Sequence, residues 1–333
     1  MNMKNYARIF IIFLFISFIS AQTYVPDDNF EQALIDLGYD DVLDDYVITD
    51  SINTVTTLDV SNDSISDLTG IEGFIALTYL NCGDNQLDSL DVSNNTALTQ
   101  LWCRTNQLTS LDVSNNTALT VLDCHYNDLT SLDVSSNSAL TDLRCYNNQL
   151  TSLDLSSNTA LISLSNHHNQ LESLDVSSNT ALTTLHCGNN QLDTLDVSNN
   201  TALTNLYCND NQLTSLDLSS NTALTELYCY TNQLDSLDVS SNTELTKLIC
   251  GNNSLASLDL SNNTDLTELH FGVNQLTSLD VSSNTVLSRL TCNGNDLTSL
   301  DVSSNTALTR LTCNSNQLTY LNMKNGVTDG LTH

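Results

Sequence analysis

From Leu77 onward, apolar and polar residues recur with a period of 21, without insertion or deletion, through twelve copies that end near Gly326. A representative unit is Leu98–Ala118, LTQLWCRTNQLTSLDVSNNTA. Positions 1, 4, 11 and 14 are Leu in every copy, as in Leu98, Leu101, Leu108 and Leu111, and position 16 is Val, Leu or Met. Position 6 is Cys in ten of the twelve, with Asn166 and Phe271 as departures. The unit reads twice as L-x-x-L-x-Φ-x-x-N, through Cys103 to Asn106 and through Val113 to Asn116. Each half alternates inward and outward, as a short strand with one buried face must. A period of this length marks a solenoid, in which each coil buries its apolar face only against its neighbours. The pattern predicts a β-rich coil of about 12–13 turns, with two short strands per turn and parallel ladders on both sides.

Asn occupies position 9 from Asn85 to Asn316, and a second Asn column runs from Asn95 to Asn305. Peptide groups at a tight corner cannot all pair with the next turn, and a buried amide can donate to and accept from adjacent backbones. Both columns are therefore expected to be structural.

The motif L-x-x-L-x-C-x-x-N-x-L, from about Val55 to Leu321, resembles the leucine-rich repeat. The 21-residue version with Cys at the third apolar position is similar to internalin-like bacterial surface proteins and to secreted repeat proteins of Bacteroidetes and flavobacteria. The resemblance implies a leucine-rich-repeat solenoid and a binding role, while the scaffold itself hosts many unrelated partners.

Residues 1–21 read as a secretory signal. Lys4 and Arg8 precede the apolar run Ile9–Ile19, and Ser20-Ala21 offers a small-residue cleavage site. That run is too short to span a bilayer as a helix, so no transmembrane segment is expected in the mature chain. Residues 22–54 read as an N-terminal cap: Asp27 or Asp28 can start a helix through about Leu37, with Phe30, Leu34 and Leu37 on one face and Gly38 as a stop. Asp40, Asp41, Asp44, Asp45 and Asp50 follow as a solvated acidic segment. Residues 55–76 form a transitional repeat of 22 residues, and 77–326 hold the twelve regular ones. No clear C-terminal cap follows, and the tail 327–333 suggests truncation.

Charge narrows the partners. The chain carries 8 basic and 39 acidic residues, a formal charge of −31. Such negativity argues against nucleic acid, which requires a basic footprint. All ten cysteines share one inward position, where parallel strands aim neighbouring Cβ atoms the same way. Free thiols packed as small hydrophobes are the first reading. The column falls into runs of four, four and two, however, so pairing between adjacent coils stays open.

Two faces carry candidate chemistry. Position 15 is Asp from Asp91 to Asp301, and stacking at about 4.8 Å sets up repulsion of about 1 kcal/mol per solvated pair. Hydroxyl or backbone donors, water or calcium must offset it, and Asp196, Asp217 and Asp238 are the central members. Outward positions 3, 5, 7 and 8 of the first strand vary while their surroundings do not. They hold Arg104, Arg144, Lys247, Arg289 and Arg310, five of the six His and the single Trp. Variation confined to one face of a rigid coil is what a recognition surface would show. Position 5 supplies the sharpest stripe, His186, Tyr207, Tyr228, Ile249 and His270, with Tyr230 beside it; Trp102, Arg104, His125, Arg144 and Tyr146 form a second group.

These residues are expected to bind a protein or carbohydrate, with packing of neighbouring rings as the competing explanation. His167, His168 and His186 on neighbouring coils form a weak metal candidate. No nucleophile elbow, H-E-x-x-H or phosphate loop accompanies them, so no enzyme and no cofactor are expected. The resulting expectation is an exported protein, secreted or at the cell surface, that binds through its first-strand face. The alternative is a structural protein whose uniform Asp ladder is organised by calcium.

Overall fold

The computed structural model describes residues 20–326. Its body is one parallel sheet of thirteen strands, one per coil, running in chain order from Thr57–Asp59 to Arg310–Thr312. Equivalent residues pair across every step: Leu80 lies against Leu101, and Leu206 against Leu227. Each strand is three residues long; its central Leu is buried while its neighbours face out. The expected parallel β-solenoid of about thirteen coils is therefore the architecture observed.

The two asparagine columns solve different problems. Asn127 Nδ2 donates to Cys103 O of the previous coil and Cys124 O of its own, both at 3.1 Å, while its Oδ1 accepts the Leu108 amide at 3.0 Å. This column clips successive coils together where the strand ends. In the other column, Asn116 Nδ2 donates to Val92 O and Asn95 O, both at 3.0 Å. Its Oδ1 accepts nothing, and the same holds for the buried oxygens from Asn95 to Asn305. That column is a donor ladder only. The last coil has Gly326 where this Asn should stand, and Asn325 reaches the Asn305 carbonyl instead, at 3.4 Å.

The second ladder anticipated on the opposite side is largely absent. Among the described residues it exists between Ser299–Asp301 and Tyr320–Asn322 and as one bridge, Asp91 to Asp112. The position-15 carboxylates bond their own coil whether or not a bridge forms, as Asp91 and Asp301 do inside one. Asp112 Oδ1 accepts the Ser114 amide at 2.9 Å, and the same bond is made by Asp196, Asp217 and Asp238. Grooves open between coils on this side, one of about 630 Å³ lined by Asp217, Asp238 and Asp259.

The cap is more elaborate than a single helix. Strand β1, Gln22–Tyr24, pairs antiparallel with β2, Tyr46–Ile48, around helix α1, Asp28–Asp36, and a short helix α2, Thr49–Ile52, follows. Phe30 and Leu34 are fully buried, whereas Leu37 ends the helix exposed, contrary to its expected place on the inner face. Asp27 caps α1 through the Asn29 and Phe30 amides, and its other oxygen takes the Ser66 amide and hydroxyl and the Asp67 amide. Burial would raise its pKa, but these bonds outweigh it and hold the carboxyl below its ordinary value. Glu31, itself buried, accepts the Asp44 and Tyr46 amides and so fastens the acidic segment to α1.

All ten cysteines are free thiols; nine are buried and Cys313 is half-buried. Burial pushes the thiols of Cys82, Cys145, Cys208 and Cys250 up to about 12. The proposed signal lies outside the described residues except for Ser20 and Ala21. No helix among the described residues is long and apolar enough to cross a membrane.

Candidate functional site

Side chains at positions 3, 5 and 7 project from the exposed face of the thirteen-stranded sheet, and register brings equivalent positions side by side. Position 8 just beyond the strand is left-handed in coil after coil, from Asp84 through Tyr126 and His168 to Ser315. The alternation pattern does not reveal that turn; the Asn, Asp and Gly residues common there are its only sequence trace.

Members of the two expected groups join through His167 into one continuous array, while Trp102, Tyr230 and His270 stand outside its ring contacts. His125 stacks on Tyr146 with centroids 4.2 Å apart, Tyr146 on His167 at 4.3 Å, and His167 on His186 at 3.7 Å. His186, Tyr207 and Tyr228 continue it with tilted rings at 5.1 and 4.8 Å. The array changes column on the way. His125, Tyr146 and His167 occupy position 7, the later rings position 5, and the small residues Ser165 and Gly188 leave room for the crossing.

Hydrogen bonds hold several of these rings. Tyr207 Oη donates to Glu226 at 2.8 Å and accepts from Asn205 at 3.2 Å, and Tyr230 Oη accepts from Asn209 at 3.0 Å. Trp102 is approached by two guanidinium groups, Arg104 at 5.7 Å and Arg144 at 5.5 Å from its ring centroid. Arg144 bonds Asp142 at 2.7 Å and stands 3.8 Å from Asp123. Asp123 is only 1% exposed and also bonds His125 Nδ1. Further along, Glu268 contacts Lys247 at 3.4 Å, His270 at 3.2 Å and Arg289 at 3.6 Å.

Glu226 and Glu268 were not among the expected site residues, because single acids carry little signal in so acidic a chain. Their 21-residue spacing from basic and aromatic neighbours is the trace that could have found them. His167, His168 and His186 do come together, but by ring contact: His167 stacks on His186 and meets His168 edge-on. Burial first, then the neighbouring His186, His168 and His125, pushes the His167 imidazole down to about 3. Among the described residues, no group of three or more His, Cys, Asp or Glu is placed to hold a metal ion.

A model of leucine-rich repeats in two copies matches residues 201–242. The functional domain of InlJ from Listeria monocytogenes, described as including a cysteine ladder, superposes with a TM-score of 0.82. It is 40% identical, over 90% of this chain and 72% of that one. The chain belongs to the internalin-like leucine-rich-repeat proteins. A second member of this internalin group, inlF of Listeria monocytogenes, superposes with a TM-score of 0.83 over 90% of this chain and 95% of its own, at 23% identity, which speaks for the fold alone. The curated Internalin J of Listeria monocytogenes is 40% identical over 77 residues, which is 23% of this chain and 8% of that protein. The internalin-like chain therefore matches only a small part of that relative's length. Its cysteine column sits where the strand face packs inward, beneath the aromatic array.

Proposed function

We propose that this internalin-like chain is an exported binding module that recognises a protein partner through the exposed face of its thirteen-stranded sheet. One observation carries the reading: sequence variation is concentrated on that face, and its rings stand in a continuous array from His125 to Tyr228. Rings already held by stacking and hydrogen bonds lose little freedom on binding, so contact energy is not spent on ordering them. Aromatic and Arg side chains are the usual anchors of protein interfaces. The charged flanks Arg104, Arg144, Lys247 and Arg289 add directional contacts, and Ile249 and His270 extend the stripe. Export rests on the sequence of residues 1–21, and the likeness to flavobacterial secreted proteins on the 21-residue Cys-containing repeat.

The test is a surface-protein pulldown with residues 22–333, run beside a glycan array and beside the Tyr207→Ala, Tyr228→Ala, Tyr230→Ala triple variant. Retention of a protein by the parent and its loss in the variant, at equal melting temperature, supports the reading. Equal retention by both sinks it, and a glycan in place of a protein changes the partner class. A second reading draws on the exposed Asp column and its grooves: calcium bound there would stabilise the coils. Charge reversal at Asp196, Asp217 and Asp238 should then abolish any calcium-dependent rise in melting temperature, while leaving partner retention intact under the first reading.

A further inference from the structure

The position-7 column is interrupted once by two successive glycines, Gly251 and Gly272, between Tyr230 and Asn293. The missing side chains leave a hollow of about 300 Å³ in the otherwise covered face, walled by Tyr230, Ile249, His270 and Val273. This volume is at the lower end of the range for small-molecule sites, about 300–1,000 Å³, and suits one ring. Aliphatic and ring surfaces make most of its wall, and Asn252, Thr291 and Asn293 add polar groups at its edge. Val273 is half exposed and has a φ of 59°, a conformation costly for a β-branched residue and one met here on the rim of a cavity.

The charge beside the hollow is opposite in sign to that of the chain. The four coils that line it carry Glu226, Lys247, Glu268 and Arg289 at one strand position, and the next coil adds Arg310, so the basic residues exceed the acidic by one. Glu268 is already shared by Lys247 and Arg289. Arg310 lies in register beside Arg289 and has no carboxylate within ion-pair distance among the described residues. Adjacent like charges on a sheet are unfavourable until a counter-charge arrives. In a chain of net charge −31, this is where an anion is attracted.

Resting on the protein-binding reading above, we propose that the hollow is the anchor subsite of that interface. Its occupant is an aromatic side chain of the protein ligand, and a neighbouring carboxylate of the ligand pairs with Arg310. Ring burial supplies the contact and the guanidinium sets the orientation.

The probe is N-acetyl-L-phenylalaninate, which carries a ring and a carboxylate, titrated into the chain labelled at Ile and Val methyl groups and followed by NMR. Saturable shifts of the Ile249 and Val273 methyls are expected. N-acetyl-L-phenylalaninamide should bind about fivefold more weakly, and Arg310→Gln should erase that difference. Ile249→Trp should abolish the shift at Val273; this position holds Trp102 in another coil, so the coil accommodates the ring, and an unchanged melt checks it. Absence of saturable shifts, their survival in Ile249→Trp, or selective binding of N-acetylneuraminate would overturn the proposal. The pulldown separates the two readings. Should Ile249→Trp lose the probe but keep the protein partner, the hollow is not the anchor while the face still binds; should no protein be retained while the probe binds, the broader reading fails and the hollow remains a site.

Discussion

The asparagine columns differ in what their removal leaves behind, and that difference can be measured. Asn190 Nδ2 donates to Asn166 O at 3.2 Å, Cys187 O at 3.1 Å and Gly188 O at 3.3 Å, and its Oδ1 accepts the Leu171 amide at 3.0 Å. In Asn190→Ala the three carbonyls keep other donors: Asn169 Nδ2, Asn211 Nδ2 and the His168 amide. The Leu171 amide keeps none and is buried. An orphaned donor costs about 1–3 kcal/mol, and the lost amide bonds add about 1–2 kcal/mol, so the variant should lose about 2–5 kcal/mol. Asn200→Ala removes bonds to Val176 O at 3.0 Å and Asn179 O at 2.9 Å. Both carbonyls retain backbone donors, and Asn200 Oδ1 had no partner to abandon. Its cost should be about 1–2 kcal/mol, even though Asn200 is the more deeply buried of the two. Hydrogen exchange read coil by coil suits a solenoid, whose coils are stabilised by nearest neighbours. Urea unfolding gives the ranking, and exchange should show the Leu171 amide losing protection in Asn190→Ala alone. Equal costs, or an unchanged Leu171 amide, would refute the assignment of a clip to one column and a donor ladder to the other.

Two further outcomes follow from the titrating groups. The folded pKa of His167, about 3, lies below that of an unfolded His, about 6.5, so the unfolded chain takes the proton first. The stability it contributes is complete above about pH 6.5 and is lost as pH falls towards 3; His186 shifts in the same direction, through burial and then His168. Melting temperature should therefore drop less between pH 7 and 4.5 in His167→Phe than in the parent, and parallel curves would contradict the stacking account. Among the thiols, Cys313 alone is partly open, so a maleimide should label it first under native conditions. Mass spectrometry should find the other nine protected until denaturant is added, and early labelling of Cys208 would mean the core column is open to solvent.

The solenoid, its strand face and its clipping asparagines were legible in the chain because each depends on contacts one coil away, and a strict 21-residue period writes those contacts into sequence spacing. Leu101 must meet Leu122, and Asn127 must meet Cys103, wherever the coil lies. Other features depend on distances the period does not encode. Whether position 15 joins a second ladder is one of them, and its carboxylate does not set it: Asp301 bonds the Ser303 amide inside that ladder just as Asp217 bonds Ser219 outside it. The passage of the aromatic array from Tyr146 to His186 needs the lateral gap between columns and the room left by Ser165 and Gly188, neither of which a single column displays. The pairing of Gln22–Tyr24 with Tyr46–Ile48 joins residues outside the repeat, where no periodicity announces a partner. Repetition determined the scaffold from sequence alone; the candidate site lies where outward positions vary between repeats, and only the packed coil shows which departures meet.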